Sequence, residues 1–126
     1  MNAANLANAD LSGVAVLIGR LTKANLTNAN LQNASLQFCS MDEADLTGVQ
    51  ATGANLSSSR IRQSSLRGAI LVNANLEATD LRRSDLSGAD LTGANLNNTQ
   101  LVRTRYDNAT KWPAGFDPSL VRAVKI

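Results

Sequence analysis

ADLTGANLNNTQL (residues 89–101) returns a leucine at every fifth position: Leu91, Leu96 and Leu101. A helix advances about 100° per residue, so side chains five apart scatter around its circumference. In a strand, positions five apart fall on opposite faces, and half of these leucines would point into water. The chain must therefore turn once in every five residues.

Working outward, the period holds without insertion from Leu6 to Tyr106. Of those 21 central positions 16 are Leu, and the others are Val16, Met41, Ala51, Ile61 and Tyr106. Two residues before each stands a small side chain, alanine in 11 cases and otherwise Ser, Thr, Val, Gly or Cys39. These two positions face inward. The residues between and after them are mostly polar, as groups in water are. The unit is A-(D/N)-L-x-x, an internal repeat carried through nearly the whole chain.

ANLTNANL, SDLSGADLTGANL and the unbroken period resemble the pentapeptide-repeat family over residues 4 to 109. The resemblance implies a right-handed quadrilateral β-helix, four repeats to a coil, with leucines filling the interior and alanines beside them. An all-β solenoid of about five coils is thus expected over residues 1–109, followed by a short capping tail, 110–126. Coils stacked at roughly 4.8 Å form a column about 25 Å long, in which each buried leucine contributes roughly 1.5–3 kcal/mol before chain entropy is charged against it.

Four repeats per coil predict a second period of twenty, and the turn residues carry it. The second residue after the central one is Asn8, Asn28, Gly48, Gly68, Gly88 and Asn108 on the first face. On the second it is Gly13, Asn33, Gly53, Asn73 and Gly93. All tolerate positive φ. On the third and fourth faces only Asn98 among the corresponding residues is Gly or Asn. Type II turns are expected after the first two faces and different turns after the others.

The tail YDNATKWPAGFDPSLVRAVKI (residues 106–126) leaves the period after Ala109 and supplies Trp112 and Phe116, expected to lie across the last coil. Asp117 followed by Pro118 is a helix start. The pattern YDxxTxWPxGFDP resembles the tail of cyanobacterial and chloroplast members of the family. At the other end Met1 runs directly into repeats. Either residues are missing before it, or another chain, for instance a second copy forming a homodimer, covers the first coil.

Two surface features stand out. Ala15, Leu17, Ile18 and Phe38 occupy outward positions on the third face, an apolar patch of the kind that marks contacts; the alternative is a distorted coil in which VAVLIG tucks in. The fourth face carries Arg20, Lys23, Arg60, Arg62, Arg82, Arg83 and Arg103 against Asp42, Glu43 and Asp80, a net of +4. The other three faces carry −4 and the tail +2, so the overall +2 conceals a dipolar rod. A basic stripe binds acidic protein surfaces, anionic lipid or phosphate backbones, or is simply a solvated face.

Catalysis finds little support. Histidine is absent, and with it the commonest general base and zinc ligand. Cys39, the single cysteine, occupies an inward position. No metal-ligand spacing, phosphate loop or cofactor motif occurs. The longest apolar run, residues 14–18, is too short to span a membrane. No targeting peptide is visible, which suits a soluble protein of the cytoplasm, or one of the thylakoid lumen or periplasm that has lost a presequence. The expected function is a non-enzymatic scaffold that binds a protein partner through a flat face. The alternatives are nucleic-acid or polyanion binding through the arginine stripe, and the DNA mimicry by which some members of the family protect topoisomerase; acidic rods are used for that, and the charge here is opposed.

Overall fold

The computed structural model describes residues 3–126; the entry of the chain at Met1 lies outside them. Residue by residue, the outward Asn, Asp, Ser or Arg of each repeat makes a parallel bridge to the residue twenty further on, from Asn5↔Asn25 through Asp85↔Arg105. Asn25, for example, donates to the Ala4 carbonyl at 2.8 Å, and Leu26 donates to that of Asp45 at 2.8 Å. Each repeat is one side of a square, and the molecule is a right-handed quadrilateral β-helix of five coils with a sixth partly built by the tail. Faces 1 to 4 are named here by their central residues in the first coil: Leu6, Leu11, Val16 and Leu21.

The interior of the middle coils is filled mainly by apolar side chains. Leu26, Leu66, Leu71, Leu76, Leu86 and Leu91 are fully enclosed, with Ala29, Ala54, Ala69 and Ala89 beside them. The small residue is required because the chain has just turned a corner there, and the leucine of the neighbouring side fills the space. The preference for Asp or Asn before the leucine also has a local cause. Its side-chain oxygen accepts the N–H two residues on, as in Asn30 to Gln32 and Asn75 to Glu77, both 3.0 Å. That N–H points away from the neighbouring coils, and the Asx turn satisfies it.

All four corners use the same left-handed residue, contrary to the expectation that the third and fourth would differ. Ile18, Phe38, Ser58 and Ala78 after face 3, and Lys23, Glu43, Gln63, Arg83 and Arg103 after face 4, have φ between +54° and +63°. Inter-coil hydrogen bonds impose the corner geometry whatever side chain occupies it. A non-glycine residue there costs about 1–2 kcal/mol, which the stacked ladder offsets.

What distinguishes these corners is a hydroxyl. From the third coil on, the inward small residue that follows them is Ser59, Thr79 and Thr99, or Ser64, Ser84 and Thr104, in place of Gly19 and Cys39 or Ala24 and Ala44 in the first two coils, whereas the other corners are followed by Ala or Val throughout. Each donates to a carbonyl of the preceding coil: Ser59 to Leu36 (2.6 Å), Ser64 to Met41 (2.8 Å), Thr79 to Leu56 (2.8 Å), Ser84 to Ile61, Thr99 to Leu76 (2.7 Å) and Thr104 to Leu81 (2.7 Å). Ser59 and Ser84 also accept the N–H of Cys39 (3.1 Å) and Ser64 (3.2 Å), so they bridge the ends of the turn in the preceding coil. The Cys39 thiol does the same between the Gly19 N–H and the Val16 carbonyl, both at 3.3 Å.

The two ends differ. At the first coil Leu6, Leu11 and Val16 are only half-buried, and a cavity of about 260 Å³ opens among them, Leu26 and Leu36. At the other end pairing continues to Asp90↔Lys111 with one extra residue accommodated, and Thr110 takes over the inward hydroxyl, donating to Leu86 at 2.9 Å. Trp112 stacks on Phe116 at 5.0 Å and meets Tyr106 edge-on at 5.5 Å, and both Trp112 and Phe116 pack on the core. A single 3₁₀ turn, Pro118–Val121, follows; its N-cap Asp117 accepts the Ser119 N–H at 2.9 Å. Strand β2 (Val124–Lys125) then pairs in parallel with β1 (Arg105–Tyr106) and begins a sixth coil.

Candidate interaction face

The square coil makes face 4 a grid. Outward side chains recur one coil apart in three columns: Arg20, Ser40, Arg60 and Asp80; Asp42, Arg62, Arg82 and Val102; and Lys23, Glu43, Gln63, Arg83 and Arg103. All the sequence-predicted cations lie on this face, but they are not equivalent.

In the middle coils the charges are mostly paired, three arginines against two aspartates. Arg62 grips Asp42 with two hydrogen bonds, Nη2 to Oδ2 at 2.8 Å and Nε to Oδ1 at 3.3 Å, while Arg60 approaches the same carboxylate at 3.3 Å. Arg82 holds Asp80 in the same way, at 2.7 and 2.9 Å, and Arg62 lies 3.9 Å from that carboxylate. Arg60, Asp42, Arg62, Asp80 and Arg82 thus form one network. Burial pushes the Asp42 carboxyl up, but the hydrogen bonds and charge of Arg62, with Arg60 behind them, outweigh it and hold Asp42 below the usual carboxylate range. Asp80 follows suit: burial raises it, and Arg82 and Arg62 lower it further. Lys23 pairs with Glu43 at 3.8 Å, an exposed contact of small worth.

Arg20, Arg83 and Arg103 make no ion pair among the described residues. Arg20 stands alone at the first coil. Arg83 and Arg103 stack at one corner and are joined by Arg122, which sequence reasoning assigned to the tail. The Arg103 N–H donates to the Arg122 carbonyl at 3.0 Å, as the Arg83 N–H does to that of Val102 at 3.2 Å. Arg122 therefore follows Val102 in the face 4 stack. Arg122 stands twenty residues after Val102, but the period of five is lost after residue 109 and one extra residue enters before Lys111, so the repeat pattern does not carry the assignment through the tail. Arg62, Arg82, Arg83 and Arg103 surround a shallow depression of about 440 Å³ floored by Val102.

On face 3 Leu17, Ile18 and Phe38 are exposed, at 63%, 74% and 55% of their surface. The segment does not tuck inward. Cys39 is buried, and burial pushes its thiol up against the opposing hydrogen bonds from Gly19 and Ile18. Among the described residues no group of acidic, His or Cys side chains is arranged to hold a metal ion, and no helix is long and apolar enough to cross a membrane.

Twenty-residue coils, corner turns of uniform hand and a leucine column define a β-helical solenoid of five-residue repeats that presents flat faces. The chain belongs to the pentapeptide repeats family, which matches in 8 copies over residues 20–57, 29–68 and 69–105. It is similar to AT2G44920, a pentapeptide repeat protein from the Arabidopsis thaliana thylakoid lumen, at 28% identity over 73% of this chain and 68% of that one, with a TM-score of 0.59. It is also similar to alr5209, a pentapeptide repeat protein from Nostoc PCC 7120, at 29% identity over 86% of each chain with a TM-score of 0.43. QnrB1, a plasmid-mediated fluoroquinolone resistance protein, matches at 16% identity over 99% of this chain and 81% of that one with a TM-score of 0.52, a likeness of fold alone. A search of curated proteins finds no match.

Proposed function

We propose that this chain is a non-enzymatic scaffold that binds a protein partner through face 4. The observation that carries the reading is the net positive face whose arginines project from a regular grid, three of them at its C-terminal end without ion pairs among the described residues. A solenoid held by inter-coil hydrogen bonds fixes the backbone from which such side chains project, which lowers the entropy cost of docking. No histidine is available as a general base, and the single thiol is enclosed, so the residues offer recognition rather than chemistry.

The test is capture from nuclease-treated lysate of the source organism on immobilised protein, beside a variant carrying Arg62→Glu, Arg82→Glu, Arg83→Glu and Arg103→Glu. A protein retained by the native chain and lost by the variant supports the reading. Retention of the same set by both sinks it, and a partner that disappears on nuclease treatment points to the nucleic-acid alternative.

A further inference from the structure

The charge on face 4 is concentrated where the ion-pair network ends. We propose that the trough formed by Arg83, Arg103 and Arg122 around Val102 is the binding site, and that it takes an extended, carboxylate-rich peptide segment bearing an aliphatic side chain. This rests on face 4 being a protein-docking surface and specifies what docks there.

Three observations carry it. First, the trough is preorganised on one side only: the bidentate pairs fix Arg62 to Asp42 and Arg82 to Asp80, whereas Arg83, Arg103 and Arg122 are exposed with their donors unspent. Guanidinium groups in this state recognise carboxylates through paired, charge-assisted hydrogen bonds. Second, the floor is apolar. Val102 is exposed between the arginines, and a second depression of about 410 Å³, sharing Arg82 and Val102, runs on to Leu120 and Arg122. Leu120 is 81% exposed at its edge. Cations around aliphatic ground fit a chain of acidic residues interrupted by a Leu, Ile or Val. Third, the footprint is short and carries no aromatic side chain. A single strand of nucleic acid needs stacking platforms, and a duplex needs a longer run of phosphate contacts than three arginines over two coil steps, about 10 Å, supply. Arg83, Arg103 and Arg122 lie at successive coil steps along the trough, a line that an extended segment can follow.

The probe is a fluorescein-labelled Glu-Glu-Leu-Glu-Glu peptide, with Gln-Gln-Leu-Gln-Gln, Glu-Glu-Ser-Glu-Glu and labelled oligothymidine as comparisons, followed by anisotropy at about 0.1 M ionic strength. The expected result is saturable binding of the first peptide, weaker binding of the Ser form and none of the Gln form. Arg83→Glu/Arg103→Glu/Arg122→Glu weakens it by about tenfold or more, the loss of charge-assisted hydrogen bonds, and Val102→Ser removes the preference for Leu over Ser. Arg20→Glu/Lys23→Glu, more than a Debye length of about 10 Å away, leaves it unchanged; circular dichroism shows that each variant keeps its fold. Absence of saturable binding, equal loss in the distal variant, or tighter binding of oligothymidine overturns the proposal. If a partner is captured through face 4 but the peptide neither binds nor displaces it, the docking function stands and the peptide class falls. If capture does not depend on face 4, the docking reading itself has failed.

Discussion

Ser59 Oγ donates to the Leu36 carbonyl, one coil earlier, at 2.6 Å, and through this bond it stands inside a turn that has no direct closing hydrogen bond of its own. The Cys39 N–H that would close it goes to the same hydroxyl. Ser59→Ala strands both groups in a buried site, and a loss of about 1–3 kcal/mol is expected. Ser59→Thr should lose far less, since Thr79 and Thr99 make the equivalent bond in the same column. Urea denaturation reads both variants, and equal midpoints for the Ala and Thr forms would show that the bridge contributes nothing.

Corner strain predicts a gain of stability. Ile18 is a β-branched residue at φ +63° with three quarters of its surface in water, so its side chain contributes little packing to offset the backbone cost. Ile18→Asn, the residue that the first two corners use, should raise stability by about 1 kcal/mol. A thermal midpoint that falls instead would mean that Ile18 makes contacts the exposed geometry does not reveal.

Core truncations should depend on the coil in which they fall. Leu71 is fully enclosed between neighbouring coils, and Leu71→Ala is expected to cost about 2–5 kcal/mol. Leu11 lines the open end and is half-buried, so Leu11→Ala should cost less than half as much. Chemical denaturation of the pair would contradict the stacked-core account if the two losses were equal.

Acid should weaken the fold through Asp85. Burial raises its carboxyl, but the Ser87 hydroxyl and N–H, Arg67 at 3.1 Å and Arg105 at 3.7 Å outweigh it and hold the group below its ordinary value. A folded-state pKa below the unfolded one contributes stability that is complete above about pH 4 and is lost as pH falls through the folded value. Asp42 and Asp80 contribute with the same sign. Asp85→Asn should therefore be less stable at neutral pH and show a shallower loss between neutral and strongly acid conditions. Parallel curves for the two proteins would rule out this linkage.

Most of the architecture was legible because one rule repeats. Leu26, Leu46 and Leu66 sit in equivalent surroundings, so a pattern of five and its harmonic of twenty set the core, the four faces and the grouping of the cations on face 4. The Gly and Asn residues of two corners were legible too, because left-handed backbone selects them directly. The other corners misled because Ile18, Glu43 and Arg83 adopt the same conformation against their own preference, under hydrogen bonds from adjacent coils that no local window contains.

The amino-acid sequence by itself determined a square solenoid, its filling and the segregation of its charge, since each of these is a periodic property of single positions. Tertiary structure alone decided which charges remain available and what closes the turns. Asp42 meets Arg62 and Asp80 meets Arg82 through side-chain geometry, Ser59 reaches Leu36 across a coil boundary, and Arg122 joins face 4 after the chain has lost its period. Asp80 and Arg82 stand two residues apart within one coil, but the other contacts join residues about twenty apart and exist only once the coils have stacked.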